Sequence, residues 1–145
     1  MPTMRAAYLT EPGRFEVREV ARPEPGPDEA LIRIARTGIC GTDIHIFHGN
    51  YAADKLPLIP GHEFAGEIAE MGRDVEGWAV GDRVVSEQHT HACGCCRQCL
   101  TGNAFACASK RAPGYFVDGG FAEYIAMPAW LLHRIPDDLS FVEAA

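Results

Sequence analysis

Short stretches of apolar residues, separated by turn-forming residues, dominate the first part of the chain. Met4–Thr10 and Phe15–Ala21 flank the turn Glu11–Arg14, which has Pro-Gly at its centre, and this pattern predicts a β-hairpin. A proline-rich loop follows, where the ladder donors that a strand needs are missing. Glu29–Thr37 then predicts a third strand, because its apolar residues alternate or cluster over a strand-like length.

The rest of the chain continues this pattern of short strands with turns between them. Gly61–Met71 begins as a motif and continues as a strand, and Trp78–Val85 combines a tight turn with a short strand. Further strands are predicted over Gly120–Met127 and Leu131–Ile135. Helical patterning is confined to a turn near Thr42–Phe47 and to a helix starting near Phe141, where Ser140 and Glu143 match a Ser-x-x-Glu capping box. Many short strands with few helices predict a mainly β domain, built as a compact, partly open β-barrel.

Composition and charge narrow the class of protein and its partners. The 145 residues suffice for one domain with a hydrophobic core. The formal charge of −7 disfavours a general surface for nucleic acid or anionic membranes. The N-terminal residues lack the basic and apolar segments of a signal peptide, and no run reaches about 18 apolar residues, so we expect no membrane span. We expect a cytoplasmic location, where clustered cysteines bind metals more often than they form disulfides.

Five of the six cysteines lie between Cys93 and Cys107, and four of them form a metal-ligand pattern. With Cys96 and Cys99 between these two, the spacing is C-x2-C-x2-C-x7-C. Four thiolates enclose one tetrahedral Zn²⁺ with no open position, which is typical of a structural site. Disulfides would close very small loops, and iron–sulfur clusters commonly use other spacings, although sulfur ligation alone does not separate iron from zinc. We therefore predict a structural-zinc lobe over about 89–112, with Cys95 outside the ligand set.

A second group of potential metal ligands lies upstream, in two separate segments. Cys40 belongs to Gly-Ile-Cys-Gly-Thr-Asp-Ile-His, and His62 and Glu63 belong to Pro-Gly-His-Glu. One cysteine, one histidine and one carboxylate are the mixed ligands of a catalytic zinc that keeps an open position. Each residue alone has an ordinary structural alternative: Cys40 as a small buried apolar residue, and His62-Glu63 as a polar pair at a strand edge. Their combination beside a four-cysteine pattern favours the metal site.

Both groups of candidate ligands belong to a longer series of motifs. The series comprises Gly-Ile-Cys-Gly-Thr-Asp-Ile-His, Pro-Gly-His-Glu-Phe-Ala-Gly, Val-Gly-Asp-Arg-Val, the four cysteines and Asp-Gly-Gly-Phe-Ala-Glu-Tyr. In order and spacing it resembles the medium-chain, zinc-dependent alcohol and polyol dehydrogenases, from near Met4 to the last residue, and is more similar to the threonine and sorbitol dehydrogenase branch than to the liver-type enzymes. The resemblance implies their N-terminal, GroES-like catalytic domain. It also implies oxidation of an alcohol or polyol to the carbonyl by hydride transfer to NAD or NADP.

The resemblance implies a role for each matching residue. Cys40 and His62 are similar to two ligands of the catalytic zinc. Glu63 is similar to a third ligand in the polyol branch and to a nearby, exchanging carboxylate elsewhere. Thr42 resembles the hydroxyl that receives the alcohol proton, and His45 resembles the next group of a relay to solvent.

Three further residues are expected around this centre. Asp43 resembles the carboxylate that orients the ring of His62 and fixes its tautomer. His89, just before the cysteine lobe, is a candidate for the substrate pocket, with a solvated loop position as the equal alternative. Phe47, which follows the first motif, is a second pocket candidate.

The resemblance covers one part of the family's architecture. The family binds its nicotinamide cofactor mainly through a Rossmann domain with a G-x-G-x-x-G motif, and this sequence contains none. We therefore expect residues 1–145 to be the catalytic domain of a larger, homo-oligomeric enzyme, and to bind zinc without turnover. Two other classes remain open: a non-catalytic, zinc-stabilised GroES-like interaction module, and a zinc-free relative of the quinone reductases.

Overall fold

The computed structural model describes residues 2–145, which form two antiparallel sheets with short helices in the connecting loops. The strands are β1 (Thr3–Glu11), β2 (Arg14–Ala21), β3 (Glu29–Thr37), β4 (Phe64–Met71), β5 (Arg83–Ser86), β6 (Tyr124–Pro128) and β7 (Leu132–Arg134). The α-helices are α1 (Gly41–Phe47), α2 (Arg97–Leu100) and α3 (Phe141–Ala144). Short 3-10 helices lie at Ala53–Lys55, Ala104–Ala106 and Ala129–Leu131. The mainly β prediction is confirmed.

The predicted hairpin forms from β1 and β2 as a separate two-stranded sheet. Gly13 turns it with a φ of 81°, in the left-handed region that glycine adopts most easily. Isolated bridges join β1 to the rest of the chain, from Ala6 to Ala122 and from Leu9 to Leu58. The hairpin therefore packs on the domain through single contacts rather than through a continuous ladder.

The larger sheet has five strands in the order β6-β3-β4-β5-β7, and it holds the core. Its buried apolar cluster comprises Ala30, Ile32, Phe64, Ile68, Val84, Ile125, Met127 and Leu132. The sheets are open and do not close into a barrel within residues 2–145. No helix in this described part has the length and apolar character needed to cross a lipid bilayer.

The pairing of the two central strands explains where the candidate ligands lie. The last residue of β3, Thr37, pairs with the first residue of β4, Phe64. The segment that leaves β3 and the segment that enters β4 therefore meet at one end of the sheet. Cys40 lies on the first segment, and His62 and Glu63 lie on the second, which brings residues distant in sequence to one place.

The motif residues Gly61–Glu63 precede β4 and the turn residues Trp78–Asp82 precede β5, as the patterns predict. The strand predicted from Gly120 begins later, at Tyr124. The segments before β4 and β6 bond to each other, since the N–H of Gly120 donates to the oxygen of Gly61 at 2.8 Å. The segment before β6 also bonds to strands of both sheets: the N–H of Ala7 donates to the oxygen of Phe121 at 2.8 Å, and the N–H of Ile34 donates to the oxygen of Glu123 at 2.9 Å.

The cysteine lobe protrudes from a bridge between His91 and Arg111. Between residues 93 and 107 the only buried residue is Cys107, whereas Leu100 and Phe105 are 73% and 61% exposed. Its two helical turns, α2 and the 3-10 turn, have four and three residues. Since isolated helices of this length are unstable in water, neither burial nor helix propensity holds the lobe together.

Candidate metal centres

Cys40, His62 and Glu63 meet at one point. One ligand atom of each lies within 4.8 Å of the others, and Cys40 Sγ is 3.2 Å from His62 Nε2. A tetrahedral zinc, about 2.3 Å from sulfur and about 2.0 Å from nitrogen, separates two such ligand atoms by roughly 3.5 Å. The donor set and its spacing therefore fit a zinc ion.

The capping box of α1 orients Cys40. This residue is extended, at φ −99° and ψ 168°, and its Sγ accepts the N–H of Thr42 at 3.2 Å. In return, Asp43 Oδ2 accepts the N–H of Cys40 at 2.9 Å. Hydrogen bonding from Thr42 lowers the pKa of the Cys40 thiol. The helix start thus favours the thiolate, the form that binds metals.

Asp43 also lies beside His62, on the opposite side of the imidazole from Cys40. Asp43 is 5% exposed, and its Oδ1 is 3.5 Å from His62 Nδ1 and accepts the N–H of Gly61 at 3.3 Å. The Asp43 carboxylate raises the pKa of His62 to about 9. Burial opposes ionisation of Asp43, but His62 and the N–H groups of Cys40 and Gly61 outweigh it and lower the Asp43 pKa. With Nδ1 facing a carboxylate, Nε2 is directed at the metal point.

Gly61 allows the chain to present His62 in this way. Its φ of 94° lies in the left-handed region, and a Cβ atom there would come within 2.4 Å of the Phe121 ring. Both the conformation and the close approach therefore require glycine.

A cleft of about 360 Å³ opens beside this centre. It is lined by Thr42, His45, Asn50, Tyr51 and Tyr115. The Tyr115 ring meets His62 edge-on, with centroids 6.0 Å apart, and Tyr51 packs against Tyr115 at 5.5 Å. Thr42 and His45 thus share one cleft, next to the metal point.

Three of the five residues that line the cleft were not predicted from the sequence. Asn50, Tyr51 and Tyr115 belong to none of the motifs, and Tyr115 comes from a segment far along the chain. The only local signal is Pro-Gly before Tyr115, which marks a turn without giving its direction.

The two pocket candidates from the sequence lie elsewhere. Phe47 stacks on Phe15 of the hairpin, with ring centroids 5.6 Å apart. His89 is 2% exposed and packs edge-on against Trp130, and this burial lowers its pKa. Neither residue lines the cleft beside Thr42, and His89 is not on a solvated loop.

The second candidate centre is the cysteine lobe. Ligand atoms of Cys93, Cys96, Cys99 and Cys107 lie within 4.8 Å of one another. Sγ of Cys96 and Cys99 are 3.5 Å apart, and those of Cys93 and Cys99 are 3.9 Å apart. Four thiolates about 2.3 Å from one tetrahedral zinc are separated by roughly 3.8 Å, so this set also fits. All six cysteines are free thiols, and Cys95 is exposed and outside the set.

Backbone N–H groups of the lobe point at its sulfur atoms. Those of Cys95 and Cys96 lower the pKa of Cys93 to about 6. Those of Cys93 and Ser109, each 3.4 Å from Cys107 Sγ, lower the pKa of Cys107. Such donors stabilise thiolates, and a divalent cation bound between these sulfur atoms would neutralise part of their negative charge.

The fold and the two ligand groups define a β domain with two potential zinc sites, one closed and one open. Residues 26–137 match the family described as the alcohol dehydrogenase GroES-like domain. This chain belongs to that family, and the GroES-like fold expected from the sequence is confirmed.

Relatives of this chain are longer dehydrogenases. An L-threonine 3-dehydrogenase of Burkholderia cenocepacia is 47% identical over 141 residues, which cover 94% of this chain and 41% of that protein. A thermostable alcohol dehydrogenase from Pyrobaculum aerophilum, solved with cobalt and zinc, is 39% identical, with a TM-score of 0.86, covering 95% of this chain and 43% of that one. An alcohol dehydrogenase from Escherichia coli CFT073, complexed with NADH, is 33% identical, with a TM-score of 0.91, covering 99% and 42%. The chain thus spans about two-fifths of the relatives it matches.

Proposed function

We propose that residues 1–145 form the zinc-binding catalytic domain of an alcohol or polyol dehydrogenase that uses NAD or NADP. The observation that carries the proposal is the convergence of Cys40, His62 and Glu63 beside the cleft of Thr42 and His45. We further propose that these three residues hold a catalytic zinc, and that the lobe at about 89–112 holds a structural zinc through its four clustered thiols.

Each residue of the upstream centre then has a chemical task. Zinc held here would supply Lewis-acid chemistry that lowers the pKa of an alcohol, and a nicotinamide would accept the hydride. Thr42 would take up the hydroxyl proton of the alcohol and release its own hydroxyl proton towards His45, which lies in the same cleft and would pass a proton to solvent. Asp43 holds the imidazole of His62 with Nε2 towards Cys40. Tyr115 and Tyr51 form an aromatic wall against which the substrate packs.

Cofactor binding, assembly and location follow from the relatives and from the cysteines. The relatives have a further three-fifths of sequence beyond the part matched here. We propose that a Rossmann domain binds most of the nicotinamide cofactor, because no G-x-G-x-x-G motif occurs in residues 1–145. We propose that the whole enzyme is a homo-oligomer that acts in the cytoplasm, where six free thiols are stable.

Metal content tests the proposal and separates it from the alternatives. Two ligand groups predict about two zinc ions per chain by elemental analysis, and Cys40→Ser reduces this to about one. One ion held only by the lobe supports the interaction module, and no zinc supports the quinone reductase-like alternative. Either result contradicts the proposal.

Activity tests it independently. Joined to its nicotinamide-binding domain, the wild-type domain reduces NAD or NADP with an alcohol, and Thr42→Val abolishes most of this activity. Residues 1–145 alone show none, because hydride transfer needs the nicotinamide held within about 3–3.5 Å of the substrate carbon. Zinc-dependent turnover by residues 1–145 alone contradicts the proposed division of labour.

A further inference from the structure

Glu63 is the least constrained member of the upstream centre, because its carboxylate sits at the end of a flexible side chain. Its backbone is well held: the Thr37 hydroxyl and the N–H of Gly38 both donate to the Glu63 carbonyl oxygen at 2.9 Å. These bonds fix the start of the side chain at the end of β3. The position of its two carboxylate oxygens depends on other neighbours.

Gly38 provides the space for one of these oxygens. A Cβ atom on Gly38 would lie 3.0 Å from Glu63 Oε2 and 3.4 Å from Glu63 Cβ. The φ of Gly38 is outside the left-handed region, so its conformation alone does not require glycine. Glycine at this position therefore leaves room for the Glu63 carboxylate where it now lies. An added methyl group would displace the carboxylate and leave the backbone unchanged, since the closest atom is the movable end of a side chain.

Gln88 contacts the other oxygen. Its Nε2 donates to Glu63 Oε1 at 3.5 Å. The pairing of Val85 with Ala65 explains the contact, because the segment that leaves β5 runs beside the segment that enters β4. The amide donor thus restrains one oxygen of the carboxylate, and the missing side chain at position 38 leaves room for the other.

We infer that Gly38 and Gln88 are positioning residues of this centre, which hold the Glu63 carboxylate at the point shared with Cys40 and His62. The inference rests on the proposed function, since it assumes a metal at this point. It extends that function by assigning a supporting role to two residues that do not bind the metal themselves. Loss of such a supporting contact typically weakens metal binding by about 10- to 100-fold.

Cobalt(II) binding tests the inference without any turnover. The upstream centre, with one sulfur ligand, and the lobe, with four, give different sulfur-to-cobalt charge-transfer bands, so chelator competition measures each affinity. We expect Gly38→Ala and Gln88→Leu to weaken the upstream site by about tenfold, the low end of the range, because the Gln88 contact is long and exposed. The lobe keeps its affinity in both.

The chain offers a matched control for each variant. Gly41→Ala adds the same methyl group one residue beyond Cys40, where nothing lies within 4 Å of the new atom. Gln98→Leu makes the same change at the other glutamine of the chain, on the exposed side of α2. Both controls should keep the wild-type affinity of the upstream site.

Glu63→Ala separates positioning from a general structural effect, because it removes the group that Gly38 and Gln88 contact. In that background Gly38→Ala and Gln88→Leu should have no additional effect on the affinity of the upstream site, because each acts through the carboxylate. Effects that persist in the Glu63→Ala background, or unchanged affinity in the single variants, would overturn the inference and leave the proposed function intact. A wild-type chain that binds cobalt only in the lobe would overturn both.

Discussion

Removal of one cysteine ligand should unfold the lobe and spare the sheet. The lobe between residues 93 and 107 buries only Cys107, and its helical turns are too short to persist alone. The core cluster lies entirely in β3 to β7. Cys107→Ser removes the one buried ligand, together with the sulfur acceptor for the N–H groups of Cys93 and Ser109.

The expected magnitude follows from the number of ligands. Structural zinc sites contribute about 10–16 kcal/mol of apparent binding energy in small zinc-finger peptides at pH 7. Divided equally among four thiolates, this is roughly 3 kcal/mol for each, or about 100-fold in metal affinity. The lobe has no hydrophobic core to offset that loss, so metal release and local unfolding should occur together.

Hydrogen exchange measures this effect residue by residue. In Cys107→Ser, or in wild type with a strong chelator, exchange should accelerate across 93–107, while amides of β3 and β4 stay protected. Cys95→Ser is the matched control, because Cys95 is exposed and outside the ligand set. Unchanged protection of the lobe in Cys107→Ser would refute the reasoning, since it would mean that contacts other than the metal hold this segment.

Three further predictions concern the upstream centre. Asp43→Asn leaves one oxygen acceptor for the N–H groups of both Cys40 and Gly61, so chemical denaturation should show a loss of about 1–3 kcal/mol in unfolding free energy. Zinc affinity of this centre, measured by calorimetry, should rise with pH up to about 9, because Asp43 raises the pKa of His62 to about 9 and a proton competes with the metal below that value; a flat profile would contradict the assigned ligand. Gly61→Ala should lower the unfolding free energy by about 1–3 kcal/mol more than Gly77→Ala does, as measured by thermal or chemical unfolding. Both glycines have positive φ, but only a Cβ atom at Gly61 would meet the Phe121 ring. Equal losses would show that the backbone conformation alone matters.

The sequence was most informative where chemistry depends on local spacing. The four cysteines lie within fifteen positions, and their clustering in space matches the C-x2-C-x2-C-x7-C pattern. The Cys40 turn is also local, since a capping box links Cys40 to Asp43 three residues later. Short-range geometry of this kind is fixed by backbone preferences, so a pattern in the sequence carries most of it.

Contacts between segments that are distant in sequence could not be predicted from the pattern of apolar and polar residues. Tyr115 reaches the cleft because the segment around Gly119 bonds to Ile59 and Gly61, and no periodicity encodes that pairing. Phe47 stacks on Phe15 of the hairpin, a contact that the sequence around Phe47 does not indicate. In both cases tertiary packing decided the direction of an aromatic side chain.

The two candidate metal centres depend on the fold in opposite ways. At the upstream centre the sheet positions the ligands: β3 and β4 are central and packed, and their paired ends bring Cys40 close to His62 without the help of an ion. In the lobe the metal ligands hold the segment together, because no residue of 93–107 other than Cys107 is buried. Metal removal should therefore leave the upstream residues close to their places and disorder the lobe. A centre arranged in advance by a rigid scaffold keeps an open position without collapsing onto its ion, which is what a site for chemistry requires.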